Sequence, residues 1–229
     1  MTLPLLLSLP HAGVIIPPEV QDLCALSTKE IVEDGDEGAA EIYLPLKKEV
    51  SALVTTVVAR AILDMNRAEE DRSKDGVVKT HTCWDIPVYR GFPSENFIET
   101  LIEKYYRPYH TDLTNYAEGV KLGVDCHTIA AKGPPVGPDP GIERPLICMS
   151  NADCTCPKEW ITSLAECCEK VFETEVSINK PFKGGYIILS HAREIPWLQL
   201  ELSRAHFFSN EEKSCRVIEA LGDWCKKFL

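Results

Sequence analysis

Two histidines in this chain stand where metal ligands would. His11 lies in Ser8-Leu9-Pro10-His11-Ala12-Gly13, directly after an apolar run over residues 3–7. His127 lies in Val124-Asp125-Cys126-His127-Thr128, after the apolar residues 120–124. Each imidazole is thus held out where a strand ends and the chain must turn. Imidazole is the commonest protein ligand for zinc, and two such groups at strand ends can share one ion. Either histidine alone would read as an ordinary loop residue; the pair favours the metal.

Other chemistry-bearing residues lie at comparable places. Glu201 interrupts the apolar stretch Leu198-Gln199-Leu200-Glu201-Leu202-Ser203-Arg204. A buried carboxylate is costly unless it is paired or employed. It is either in a salt bridge, to Arg204 or another arginine, or a general base beside metal-activated water, whose pKa zinc can lower to about 7. Asn66-Arg67 closes another apolar stretch, and an arginine fork there suits a carboxylate bidentately. Arg60 could reach the same cavity and stabilise an oxyanion, or simply pair with a surface acid. The run Glu33-Asp34-Gly35-Asp36-Glu37-Gly38 places acids ahead of a helix, where capping and the macrodipole favour them. Cys126, beside His127, is the alternative nucleophile.

The elements that must position these groups alternate. Strands are expected at Leu3–Leu9, at 52–59 continuing through 61–65, and at 120–124, 146–149, Val176–Ile178, 186–189 and 197–202. Helices are expected to open at Pro17-Pro18-Glu19, across 39–50 with Pro45 cutting it short, across 94–118 with Pro108 kinking or dividing it, and across 157–173. Ser209 and Glu212 form a capping box for a last helix. The charged stretch 68–79 reads as a surface loop, and the Pro- and Gly-rich stretch 131–145 as a long one of the kind that is often functional. Alternating strands and helices predict an α/β fold with a parallel or mixed sheet, whose sites gather at the carboxyl ends of strands.

Composition narrows the function classes. With 229 residues, 45% hydrophobic and 26% charged, the chain can bury a full core, and residues 1–229 are read as one domain. A net charge of −11, spread along the chain, argues against a nucleic-acid partner. No stretch approaches the roughly 20 apolar residues that span a bilayer. The apolar start lacks a basic region and runs into His11, so a cytoplasmic protein is expected. The ten cysteines lack zinc-ribbon spacing and read as free thiols serving as small apolar residues.

The assembled motifs resemble those of the N-formylglutamate amidohydrolases. The resemblance runs through Ser8–Gly13, Asp36 six residues before Ile42, Asp64-Met65-Asn66-Arg67 and Tyr106-Arg107-Pro108-Tyr109-His110. It continues through Asp125-Cys126-His127-Thr128, Asn179-Lys180-Pro181-Phe182-Lys183-Gly184-Gly185 and Gln199-Leu200-Glu201-Leu202-Ser203-Arg204. It spans nearly the whole chain in order. Thr128 replaces a serine, and the stretches 79–90 and 131–143 follow the pattern poorly. The resemblance implies a zinc-exopeptidase-like three-layer α/β/α sandwich with a mixed central sheet. It implies His11 and His127 as metal ligands, Glu201 as base, Arg60 polarising the scissile carbonyl, and Asn66, Arg67 and Arg204 on the substrate. The relatives take a third ligand three residues after the first histidine, but Val14 stands there. Asp36 is therefore the expected ligand, with Asp34 in reserve. The expected cofactor is zinc or another divalent metal, and the expected partner is a small N-acyl amino acid. The role of His110 stays open.

Overall fold

The computed structural model describes residues 2–152 and 154–228. Strand β1 (Leu3–Leu9) explains the architecture. Leu5, Leu7 and Leu9 pack into one apolar cluster and Leu6 into another. A strand apolar on both faces must be covered on both, which requires helices above and below it. β1 lies inside a six-stranded sheet of order β2-β1-β3-β6-β4-β5, with β2 at Val50–Thr55, β3 at Leu122–Ile129, β4 at Ile147–Ser150, β5 at Val176–Ile178 and β6 at Trp197–Ser203. β2, β1, β3 and β6 are mutually parallel, β4 runs antiparallel to β6, and β5 parallel to β4.

Helices α2 (Ala39–Tyr43), α5 (Lys158–Phe172) and α7 (Asn210–Phe228) cover one face. Helices α3 (Glu95–Leu101), α4 (Arg107–Tyr116) and α6 (Tyr186–His191) cover the other. This is the expected three-layer sandwich on a mixed sheet. Among the described residues no helix is long and apolar enough to cross a membrane.

Several local expectations change. Helix α1 (Thr28–Asp34) was not foreseen, although Ser27 and Glu30 form its capping box. Residues around Pro17 and Leu23 form hydrogen-bonded turns rather than a helix, and residues 61–65 form turns rather than a strand. The latter are nonetheless buried in the second cluster. The expected strand at 186–189 is α6: a four-residue apolar run has no period that separates strand from helix. Here the Asn66 side-chain oxygen accepts the Ile187 N–H, 2.8 Å away, at the start of that helix. The helix expected across 94–118 is divided just ahead of Pro108, which stands in the first turn of α4. A π-helical turn at Ile102–Tyr106 joins α3 to α4, and the wider turn absorbs the amide Pro108 cannot donate.

Two close approaches require glycine. A Cβ on Gly13 would stand 2.4 Å from the carbonyl carbon of Val57, where the His11 turn bridges to the chain beyond β2. A Cβ on Gly123 would stand 2.3 Å from the Trp197 ring across β3 and β6.

Candidate metal centre

β3 carries Leu122, Val124 and Cys126 on one face, so Asp125 and His127 share the other. In register, Ser8 of β1 lies beside Asp125, Asp125 beside Gln199 of β6, and His127 beside Glu201. The pleat thus lays a polar stripe across three buried strands. Cys126 packs into the core on the opposite face, and burial pushes its thiol well above the usual range. It is not available as a nucleophile on this side of the sheet.

His11, Asp36 and His127 are all buried, and one ligand atom from each lies within 4.8 Å of the others. Second partners fix which imidazole nitrogen faces the cluster. Asp64 Oδ1 accepts from His11 Nε2 at 2.7 Å, which leaves His11 Nδ1 pointing inward without a hydrogen-bond partner. Asp125 Oδ2 accepts from His127 Nε2 at 2.8 Å, which turns His127 Nδ1 toward Asp36 Oδ2, 2.9 Å away. A carboxylate behind each histidine is the arrangement that orients imidazoles on a metal. Asp125 is itself held by Ser8 Oγ at 2.8 Å, which in turn meets the Tyr109 hydroxyl.

Asp36 comes from a loop rather than a strand. Its N–H donates to the His11 carbonyl, and its carboxylate accepts the Thr128 N–H at 3.2 Å. Arg204 fastens this loop by donating to the carbonyls of Glu33, Gly35 and Thr128. Burial would raise the Asp36 carboxyl, but the facing His11 and His127 rings hold it well below the usual range. Burial would lower His127, yet Asp125 and Glu201 hold it well above. Asp34, the reserve ligand, is turned away, toward the Cys83 N–H at 2.7 Å and Lys79 at 3.5 Å.

Glu201 does not pair with Arg204. Its Oε1 accepts from Gln199 Nε2 at 2.6 Å, and its Oε2 is buried without a protein partner among the described residues. Burial pushes this carboxyl up to about 6 against the pull of His127. All eight expected site residues line one cleft of about 190 Å³, below the roughly 300–1,000 Å³ of sites for drug-sized ligands. A small guest is implied.

The cationic residues differ in how far they are committed. Arg60 donates to Asp64 Oδ2 and to the Asp34 carbonyl. Arg67 donates to the carbonyl and carboxylate of Asp75 and to the Asn66 carbonyl. The Asn66 side chain bridges Asp125 Oδ2 and the Ile187 N–H. His110 lies behind the cleft, on the Met65 carbonyl and His191 Nε2. Burial, then His191, pushes it down to about 4.

Sequence reasoning missed the places of Asp64 behind His11, of Lys79 among buried acids, and of Arg144 in the cleft lining. Asp64 had a usable signal, since Asp125-x-His127 already suggests acids backing histidines. Lys79 sat in a stretch read as surface. It is fully buried, with Nζ 2.9 Å from Asp75, 3.5 Å from Asp34 and 3.6 Å from Asp64.

Comparison with known proteins bears on the family and on the fold. An N-formylglutamate deformylase of Pseudomonas putida is 25% identical over 231 residues, spanning 92% of this chain and 84% of that protein. The crystal structure of N-formylglutamate amidohydrolase from Ralstonia eutropha JMP134 superposes with a TM-score of 0.79 at 16% identity, covering 100% of this chain and 96% of that one. A gene product of Agrobacterium tumefaciens superposes with a TM-score of 0.72 at 20% identity, covering 97% and 90%. Residues 3–208 match the sequence model of N-formylglutamate amidohydrolases, and the chain belongs to that family.

Proposed function

We propose that this chain is a zinc-dependent amidohydrolase that removes the formyl group from N-formyl-L-glutamate or a close relative. The observation that carries the reading is the convergence of two inward-facing Nδ1 atoms and the Asp36 carboxylate beside the unpartnered oxygen of Glu201. The curated relative from Pseudomonas putida is named for the same reaction.

His11, Asp36 and His127 would hold the ion. The donor set fits: two imidazole nitrogens, with His127 releasing its proton on binding, and one carboxylate would leave a position open, as in catalytic rather than structural zinc sites. When bound, the ion supplies Lewis-acid polarisation of the carbonyl and acidifies water. Two imidazoles and a carboxylate also suit other divalent ions.

Glu201 takes the proton of the attacking water. A carboxylate held near 6 is ionised at neutral pH yet basic enough for that role. Water adds to the formyl carbon, the C–N bond breaks, and Glu201 returns the proton to the departing amine, giving formate and glutamate. Arg60 steadies the charge that develops on the carbonyl oxygen. Arg67 attracts the substrate carboxylate with the N–H groups that Asp75 and the Asn66 carbonyl leave over, while Asn66 and Arg204, also bonded to the protein, shape the walls.

The test is elemental analysis of protein purified without added metal, for wild type and His127→Ala, followed by N-formyl, N-acetyl and dipeptide substrates. About one zinc per wild-type chain, lost in the variant, with turnover of N-formylglutamate, is expected. Wild-type protein that takes up no metal even when zinc is supplied would refute the reading. Metal-loaded protein that binds amino-acid derivatives without cleaving them would make it a carboxylate-binding protein instead.

A further inference from the structure

The antiparallel direction of β4 decides what stands opposite Arg67. Because β4 runs against β6, its first residue, Ile147, pairs with Leu202 near the end of β6. The stretch before β4 is therefore delivered to the same sheet edge as the metal cluster. Arg60 and Arg67 follow β2, Arg144 precedes β4, and His11 after β1 and His127 on β3 lie between them in the strand order. The cleft thus has a guanidinium on each flank of its centre.

Arg144 is held unlike the others. Its Nε and Nη2 each donate to a carboxylate oxygen of Asp139, both at 2.7 Å. Its guanidinium carbon lies 4.9 Å from the centre of the Phe182 ring. The side chain is only 6% exposed, yet Nη1 has no hydrogen-bond partner among the described residues. A guanidinium has two forks, a side-on one (Nε and Nη2) and an end-on one (Nη1 and Nη2). Asp139 fills the first and orients the second. Arg204, by contrast, spends its donors on three carbonyls, and the side-on fork of Arg67 is taken by Asp75. Arg144 and Phe182 both line the cleft.

A fork pinned by its own acid and by an aromatic face is pre-organised, so little entropy is lost when it receives an anion. The aromatic ring beside it offers an apolar surface for methylenes. We propose that the end-on fork of Arg144 binds the side-chain carboxylate of an acidic N-acyl amino acid, and so selects glutamate-like substrates over neutral ones. This rests on the amidohydrolase reading above and adds the residue that reads the side chain. Arg67 and Arg144 together would grip the two carboxylates, with the amide between them at the metal cluster.

The test compares N-formyl-L-glutamate with N-formyl-L-glutamine, which differ by one charge, on wild type, Arg144→Met and Arg144→Lys. Arg144→Met should lower the ratio of their kcat/KM values by about 100-fold, the scale of one charge-assisted hydrogen-bonded pair. Turnover of the glutamine derivative should stay within about threefold, because the catalytic groups are untouched. Arg144→Lys keeps the charge without the fork and should fall between; it decides the matter if the methionine variant does not fold. A ratio that is unchanged, or both substrates falling together, would overturn the proposal. If the wild type cleaves neither compound, the amidohydrolase reading has failed. The ratio of their dissociation constants by calorimetry then tests Arg144 alone, and equal or absent binding overturns it.

Discussion

Glu201→Gln should yield a protein that is inactive and more stable. The side chain keeps its shape, and its carbonyl oxygen can still accept from Gln199 Nε2, now at 2.6 Å. Holding the carboxyl at about 6 instead of 4.5 disfavours its ionised form in the fold by about 2 kcal/mol. The sign follows from the direction. A folded-state pKa above the unfolded one adds stability below about 4.5, and that contribution is lost as pH rises through about 6. At pH 7 the wild type therefore bears the full penalty and the amide does not. For a chain of this length 2 kcal/mol corresponds to roughly 4–8 °C in Tm. Loss of a general base should cost about 10²–10⁴ in kcat, roughly 3–5 kcal/mol of barrier. Calorimetry of metal-free protein at pH 7 and at pH 4.5 reads the first effect, which should vanish at the lower pH. Turnover of zinc-loaded protein reads the second, with zinc content unchanged. Retained turnover would refute the base assignment. Lost zinc would show that Glu201 is a ligand.

Asp125→Asn should weaken metal binding by about 10- to 100-fold, because the neutral amide no longer fixes the tautomer of His127; competition with a chromogenic chelator measures it. Lys79→Met should destabilise the fold by about 3–5 kcal/mol, seen in the urea midpoint, since Asp34 and Asp64 are left buried without their shared cation. His110 sits at about 4, below the usual 6.5, so the unfolded chain binds the extra proton between those values. Its contribution is present above pH 6.5 and lost as pH falls toward 4, by up to about 1.4 kcal/mol per pH unit. Replacing it with glutamine should flatten the wild-type slope of urea midpoint against pH in that window.

How much of this was legible in the sequence depended on range. β1 was readable because seven consecutive residues suit a strand covered on both faces, and His11 follows from where that strand stops. Glu201 and His127 were each visible, but their adjacency is a register between β3 and β6 that no local pattern encodes. Asp36 was reached only through the family resemblance, since a loop held by Arg204 brings it to the cluster from outside the sheet. Helix α6 was misread because its apolar run is short and its start is anchored by Asn66, distant in sequence. Lys79 reads as a surface residue because charged neighbours surround it in sequence; its partners Asp34 and Asp64 are supplied by other parts of the chain.

The reversal of β4 also separates two tasks within this sheet. His127 and Glu201 ride on β3 and β6, where a one-residue slip would turn each to the wrong face, and His11 follows the end of β1. The segment between β3 and β4 is anchored by strands that flank β6 on either side, so its two ends stay fixed whatever lies between. Lengthening such a span costs only about 0.6 kcal/mol per doubling. Substrate preference can therefore drift by insertion and exchange within residues 131–145 while the hydrolytic apparatus remains untouched. This makes the segment the natural place to graft new selectivity onto the fold.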